Sequence, residues 1–293
     1  MLLEYKVKNN DNFQTVKEVL KEHFKVSDAL LLKLKKNNLI YLNGEIAFLF
    51  SLVKENDVIS FSLDFDEDNS NIIPSNIPLE IIYEDEYLLA VNKPSNMAVH
   101  PSSYHLTDTL SNGIKYYYDQ INLHKKIRIV NRLDRNTSGI VLIAKNEYIQ
   151  ESLIKQMSNH TFEKKYLGFV SGVLNNKSGI INANIARKPN SIIEREINEN
   201  GQRAITKYNV LKEFDNYSLV EFKLLTGRTH QIRVHTAYIN HPLLGDSLYG
   251  KSSSLINRQA LHCYYIKFIH PITNKEIIIT CKMPKDMEIL ESI

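Results

Sequence analysis

The segment Asn131–Gly139, "NRLDRNTSG", sets one carboxylate, Asp134, between Arg132 and Arg135, then adds two hydroxyls and a glycine. Its flanks, "IRIV" and "IVLIAKN", read as buried strands, and a carboxylate there is costly to bury unless paired. A guanidinium partner keeps such a group ionised at neutral pH because the opposite charge favours the charged form. Ionised is the state that a nucleophile or a base needs. Arg132 and Arg135 are close in sequence, but their side chains need not point at Asp134. Arg228 and Arg233, in "TGRTHQIRVH", are the longer-range candidates. Thr229 is placed to cap a helix that carries Arg233 about one turn in. The alternative reading is a buried ion pair with no chemistry, the usual meaning of a generic Arg–Asp pair.

Arginine is scarce here, with 9 against 27 lysines, and Arg132, Arg135, Arg228 and Arg233 all fall within residues 131–139 and 225–235. Lysine serves for solubility; a planar, bidentate fork is needed to meet a carboxylate or phosphate. "NTSG" suits a tight turn whose backbone approaches a ligand. A second loop, "NKPSNMAVHPS" over 92–102, follows an apolar strand and carries Lys93 and His100, as a binding loop on a rigid scaffold would. Asn96 in that loop is expected to take a left-handed conformation. His230, His235, His241 and Asp246 do not have the i, i+4 spacing of common zinc sites, so no metal is expected.

Positioning these loops requires a sizeable fold. The 293 residues are 43% hydrophobic and 24% charged, enough for one large domain or two ordinary ones. A net charge of +3 says nothing by itself about nucleic acid; only local clustering would. Cys263 and Cys281 are too few for a disulfide scaffold or a cysteine-rich zinc site. The start of the chain lacks an apolar leader core, and no run approaches a membrane span, so the cytoplasm is the expected compartment.

Residues 1–63 read as a small α/β unit. "TVKEVLKEHF" opens with a capping box from Thr15 to Glu18, and a second helix follows from Ser27. "LIYLNGEIA" is a hairpin turning at Asn43-Gly44, and "NDVISFSL" is a further strand. Lys33, Lys35 and Lys36 gather on the second helix, which is either a solvated face or a nucleic-acid contact. Residues 64–78 have linker composition. Residues 79–293 carry eight strand-like runs, with helices expected around 107–119, at 146–158 and near Thr229. That pattern predicts an α+β domain on a mixed, mostly antiparallel sheet.

Taken in order, these segments resemble a known family. "NRLDRNTSGIVLIAKN" is similar to the signature of the RluA-type RNA pseudouridine synthases. "VNKPSNMAVHPS", "FEKKYLGFVSG", "LLTGRTHQIRVHTAYINHPLLGDSLYG" and "RQALHCYYIKFIHPIT" resemble its other motifs, so the likeness spans about 79–285. "KVSDALLLKLKKNNLIYLNGE" with "ENDVISF" resembles the small RNA-binding domain of ribosomal small-subunit protein four. Two positions depart from the pattern: Asn131 stands where the family most often has His, and Asn96 where it usually has Gly.

The resemblance implies a pseudouridine synthase fold and isomerisation of uridine in structured RNA, with ribosomal RNA favoured over transfer RNA. It implies Asp134 as the catalytic carboxylate, Arg233 as its ion-pair partner with Arg228 in reserve, and Tyr166 stacking on the flipped uracil. Arg132, Arg228, Lys93 and His100 would contact RNA near the site, and Lys33, Lys35 and Lys36 would grip it from the N-terminal unit. The redox-neutral reaction calls for no metal or organic cofactor. A monomer is the default expectation. Covalent attack by Asp134 and proton abstraction to give a glycal both stay open. A carboxylate glycosidase would instead need a second acid about 5 Å away; Glu163, Glu194 and Glu196 lack a supporting context.

Overall fold

The N-terminal strand β1 (Leu2–Lys6) escapes sequence reading because its five residues alternate between exposed and half-buried. This computed structural model describes residues 2–292. Thr15 caps α1 (Val16–Glu18) by accepting from the Glu18 amide, and the Glu18 carboxylate accepts from the Gln14 N–H. The helix continues as a π-helical turn over Val19–His23. Ser27 then caps α2 (Asp28–Lys36). Strands β2 (Ile40–Leu42), β3 (Glu45–Ile46) and β4 (Val58–Ser62) join β1 in an antiparallel sheet of order β1-β4-β2-β3. Asn43 and Gly44 turn the β2–β3 hairpin with φ of 54° and 86°, the pair of left-handed residues that a type I′ turn requires. Val16, Leu20, Leu30 and Leu34 pack on Ile40, Ile59 and Phe61, giving this unit a core of its own.

Residues 64–78 form no helix or strand, yet they are fastened down. The Glu67 carboxylate receives Arg128 Nη1 and Nη2 at 2.6 and 2.5 Å. Lys125 Nζ donates to the carbonyls of Leu63 and Phe65, and Asn112 Nδ2 donates to that of Ile73. Glu147 adds an ion pair to Lys33.

The larger unit runs through β5 (Ile81–Glu84), β6 (Leu88–Lys93), α3 (Leu110–Gln120), β7 (Arg128–Ile129), β8 (Ser138–Ala144), α4 (Glu147–Ser158) and β9 (Glu163–Ser171). It continues through β10 (Ser178–Asn182), β11 (Ile185–Arg187), β12 (Arg195–Ile197), β13 (Ile205–Glu213), β14 (Tyr217–Leu224), α5 (Gln231–Tyr238), β15 (Leu261–Ile269), β16 (Glu276–Thr280) and α6 (Lys285–Glu288). The main sheet has the order β10-β13-β14-β9-β15-β8-β6-β5, with β16 on β15 and β7 on β8. All its pairings are antiparallel except β8–β15. The fold is therefore α+β on a mixed, mostly antiparallel sheet. Thr109 caps α3 and Asn146 caps α4, whose Ile149 and Leu153 are buried.

At the central parallel seam, Ser138 pairs with His262 and Gly139 with Cys263. All of β8 is buried, as in a strand covered on both faces. Gly139 has φ +115°, and a β-carbon there would lie 2.2 Å from the Cys263 carbonyl oxygen. Only glycine lets these two strands meet.

Candidate active site

The loop that carries Asp134 begins where the chain leaves β7. Asn131 is buried, and its side chain acts as a substitute strand: Nδ2 donates to Ile140 O at 2.9 Å and Oδ1 accepts from Leu142 N at 2.8 Å. Thr137 N–H donates to Asp134 O, closing a turn. The side chains that follow are engaged at the seam, although Thr137 also borders the cavity. Thr137 Oγ1 accepts from Gln259 Nε2, Ser138 Oγ lies 2.9 Å from His262 Nδ1, and Gly139 meets Cys263. "TSG" holds the loop in place because the parallel strands supply its partners.

Asp134 stands above this anchor with its side chain 27% exposed. Arg233 Nη1 lies 3.4 Å from its Oδ2, and His230 Nε2 lies 3.9 Å from the same oxygen. The principal partner of Arg233 is Asp246: Nε and Nη2 each donate to that carboxylate at 2.8 Å. The Asp246 side chain is 1% exposed. Burial opposes the guanidinium's charge, but the bonds to Asp246 and the carboxylates of Asp246 and Asp134 outweigh it and raise the Arg233 pKa. One fork therefore serves two carboxylates, and the buried one orients it.

Arg233 is the third residue of α5. The expected cap at Thr229 is not formed; His230 holds the N-cap position with φ 58° and makes no side-chain capping bond. Gln231 organises the turn instead, its Oε1 accepting from Arg228 N–H and Thr226 Oγ1.

Asp134, Tyr166, Arg233, Arg132, Arg228 and His100 all line one cavity of about 950 Å³. Tyr166, on β9, is 5% exposed. Burial, then Cys263, then Asp134 push its hydroxyl pKa well up, so the phenol stays protonated at neutral pH. Arg132 and His100 are exposed at the mouth. Arg228 is also exposed, with Nε donating to Arg203 O. Glu163 is the other acid of the lining, and it is paired with Lys223 and Lys267.

Lys93 is elsewhere. It is fully buried, and its Nζ donates to the carbonyls of Pro94, Met97 and Arg135 at 2.8, 2.9 and 3.1 Å. Burial pushes its pKa down to about 7, against the pull of Asp134. Three carbonyl acceptors match the three donors of an ammonium group, so Lys93 clamps the 94–97 loop to the loop that carries Asp134 and is buried rather than offered at the cavity as an RNA contact. Asn96 in that loop has φ 60°, as its residue type allows. On α2, Lys33 is engaged by Glu147, whereas Lys35 and Lys36 are exposed.

From the sequence alone, Tyr249 and Lys164 have no assigned role, and His230 and Asp246 are weighed only as metal ligands. Asp246 lies 13 residues beyond Arg233, across a loop that gives no periodic signal. Lys164 lines the cavity without a hydrogen-bond or ion-pair partner among the described residues. The remaining histidines are dispersed: His235 bonds Thr206 and Ala183 O, and His241 bonds Ser171 O.

A carboxylate braced by arginine at the floor of a basic cavity next to a buried tyrosine is the arrangement that the motifs imply. Residues 87–238 match the family described as RNA pseudouridylate synthase. This chain belongs to that family. Bacillus subtilis RNA pseudouridine synthase YhcT is 38% identical over 289 residues, covering 98% of this chain and 95% of the relative. Ribosomal large subunit pseudouridine synthase D of Pasteurella multocida is 33% identical over 274 residues, covering 88% of this chain and 84% of the relative. A solved structure, human RNA pseudouridylate synthase domain containing 1, superposes with TM-score 0.59 at 26% identity, covering 71% of this chain and 84% of that one. The synthase is therefore an isomerase that converts uridine in RNA to pseudouridine. No helix among its described residues is long and apolar enough to cross a membrane.

Proposed function

We propose that the synthase modifies uridine in large-subunit ribosomal RNA, with Asp134 as the reacting carboxylate. The observation that carries the chemistry is the placement of Asp134, part-exposed to the cavity and braced by Arg233 behind it. A relative bearing the name of a large-subunit enzyme favours the substrate. Carbon 5 of a stacked uridine is out of reach, so the nucleotide must leave the helix and enter the cavity. There the bond from C1′ to N1 breaks, uracil turns, a bond from C1′ to C5 forms, and the proton lost from C5 is balanced by one gained at N1. Asp134 either attacks the sugar or base and later leaves, or takes a sugar proton to give a glycal and later returns it. Tyr166 lies against the flipped ring, and its hydroxyl relays the C5 proton. Arg132, Arg228 and His100 contact the RNA at the mouth.

Residues 1–63 form the RNA-gripping domain of this reading, 64–78 the connector and 79–293 the catalytic domain. Lys35 and Lys36 are the free basic groups of α2. A cytoplasmic monomer fits this role. Pseudouridine mapping on ribosomal RNA with wild type and Asp134→Asn tests the assignment: the variant should give no modification. Equal modification by both proteins refutes it. Lys35→Ala/Lys36→Ala should flatten the salt dependence of RNA binding without altering the single-turnover rate.

A further inference from the structure

We infer that His230 is a positioning residue that orients the Asp134 carboxylate so that Oδ1, not Oδ2, meets the substrate. The inference rests on Asp134 being the reacting carboxylate. His230 sits in the left-handed region at the start of α5, a conformation that few residues with a β-carbon adopt. Its ring is held from behind: Nδ1 lies 2.8 Å from the Tyr249 hydroxyl. That hydroxyl already accepts the backbone N–H of Arg195, on β12, at 2.8 Å. Its own proton is then available for Nδ1, and we take it as donated there; a neutral imidazole that accepts at Nδ1 carries its proton on Nε2.

Nε2 is the nitrogen that faces Asp134 Oδ2, at 3.9 Å. Arg233 Nη1 faces the same oxygen at 3.4 Å. Two donors from one helix end therefore converge on Oδ2, while Oδ1 has no hydrogen-bond partner among the described residues. Contacts of this kind are often long before substrate binds and tighten in the reacting complex. The Tyr249 ring also packs under the Arg233 guanidinium, 5.0 Å from centroid to carbon. Tyr249 thus supports both groups that hold Oδ2. The chain of contact runs from the Arg195 backbone through Tyr249 and His230 to one oxygen of the acid.

The test compares His230→Ala, His230→Gln and Tyr249→Phe by single-turnover pseudouridine formation and by RNA affinity, with thermal melts as a check on folding. Nitrogen-15 NMR of histidine-labelled protein reads the tautomer. His230→Ala should slow the single-turnover step by about 10–100-fold, the scale of a misplacement of about 1 Å, with RNA affinity unchanged. His230→Gln, which keeps a donor, should recover most of the rate. Tyr249→Phe should lose the Nε2-protonated signature, and adding it to His230→Ala should cause no further slowing. A wild-type rate in folded His230→Ala overturns the inference. So does an Nδ1-protonated tautomer in the wild type. Activity in Asp134→Asn would instead overturn the assignment of the carboxylate itself, and an inactive Asp134→Asn beside a wild-type His230→Ala isolates the failure to His230.

Discussion

Replacing Arg233 with alanine removes the one group that Asp134 and Asp246 share. The loss falls mainly on Asp246, which is 1% exposed and would keep only the backbone N–H groups of Leu248 and Tyr249, at 3.1 and 3.3 Å. Breaking a buried pair by deleting one partner costs about 3–5 kcal/mol. At about 2–4 °C per kcal/mol for a domain of this size, the melting point should fall by roughly 10 °C. Arg233→Lys keeps the charge but cannot offer Nε and Nη2 to one carboxylate and Nη1 to another, so it should also destabilise, by less. Arg233→Ala/Asp246→Leu should be more stable than Arg233→Ala, because no buried charge is left alone. The chain has no tryptophan, so unfolding in urea is best followed by far-UV circular dichroism. Single-turnover activity should be lost in all three variants. A melting point and rate for Arg233→Ala matching wild type would show that the fork braces neither carboxylate.

Burial lowers the His262 pKa to about 4, so between that value and about 6.5 the unfolded chain binds more protons. Stability should therefore fall by about 3 kcal/mol as pH drops from 6.5 to 4, and denaturant titrations of His262→Gln should lack that slope. Gly139→Ala would drive a β-carbon into the Cys263 carbonyl at 2.2 Å, and should lose about 4 kcal/mol or more or fail to fold; a soluble protein with an unchanged urea midpoint contradicts the close-packed seam. Glu67→Gln removes the charge facing Arg128, leaving Glu147 at 3.8 Å as the remaining acid. It should cost about 1.5–3 kcal/mol and open residues 64–78 to limited proteolysis, which mass spectrometry of the fragments would detect.

The motif chemistry was legible because its parts are local in sequence: an aspartate flanked by arginines, a loop after an apolar strand, a tyrosine on a strand. The role of Arg233 beside Asp134 was legible only through resemblance, and Asp246 was hidden because its burial follows from a loop closing over α5. Lys93 misleads for a related reason. A lysine after an apolar strand reads as solvent-facing, and nothing local reveals three carbonyls converging on its ammonium. Asn131 behaves as its chemistry allows, hydrogen-bonding without titrating, but its partners on β8 appear only when the strands pair. Helices α3 and α4 lie close to the segments 107–119 and 146–158 that were expected to be helical, the latter from the spacing of Ile149, Leu153 and Met157. The strands β10 to β13 were not, since they are short or expose alternate residues beside polar turns.

The Glu67–Arg128 pair gives the protein a property that neither folded unit has alone. With Glu67 held by Arg128 of β7 and Lys33 of α2 paired with Glu147 of α4, α2 is tethered to the unit that carries the cavity. If α2 takes the RNA-gripping role proposed above, an RNA docked on Lys35 and Lys36 would have to bridge from there to the cavity. Target choice would then depend partly on distance along the RNA surface.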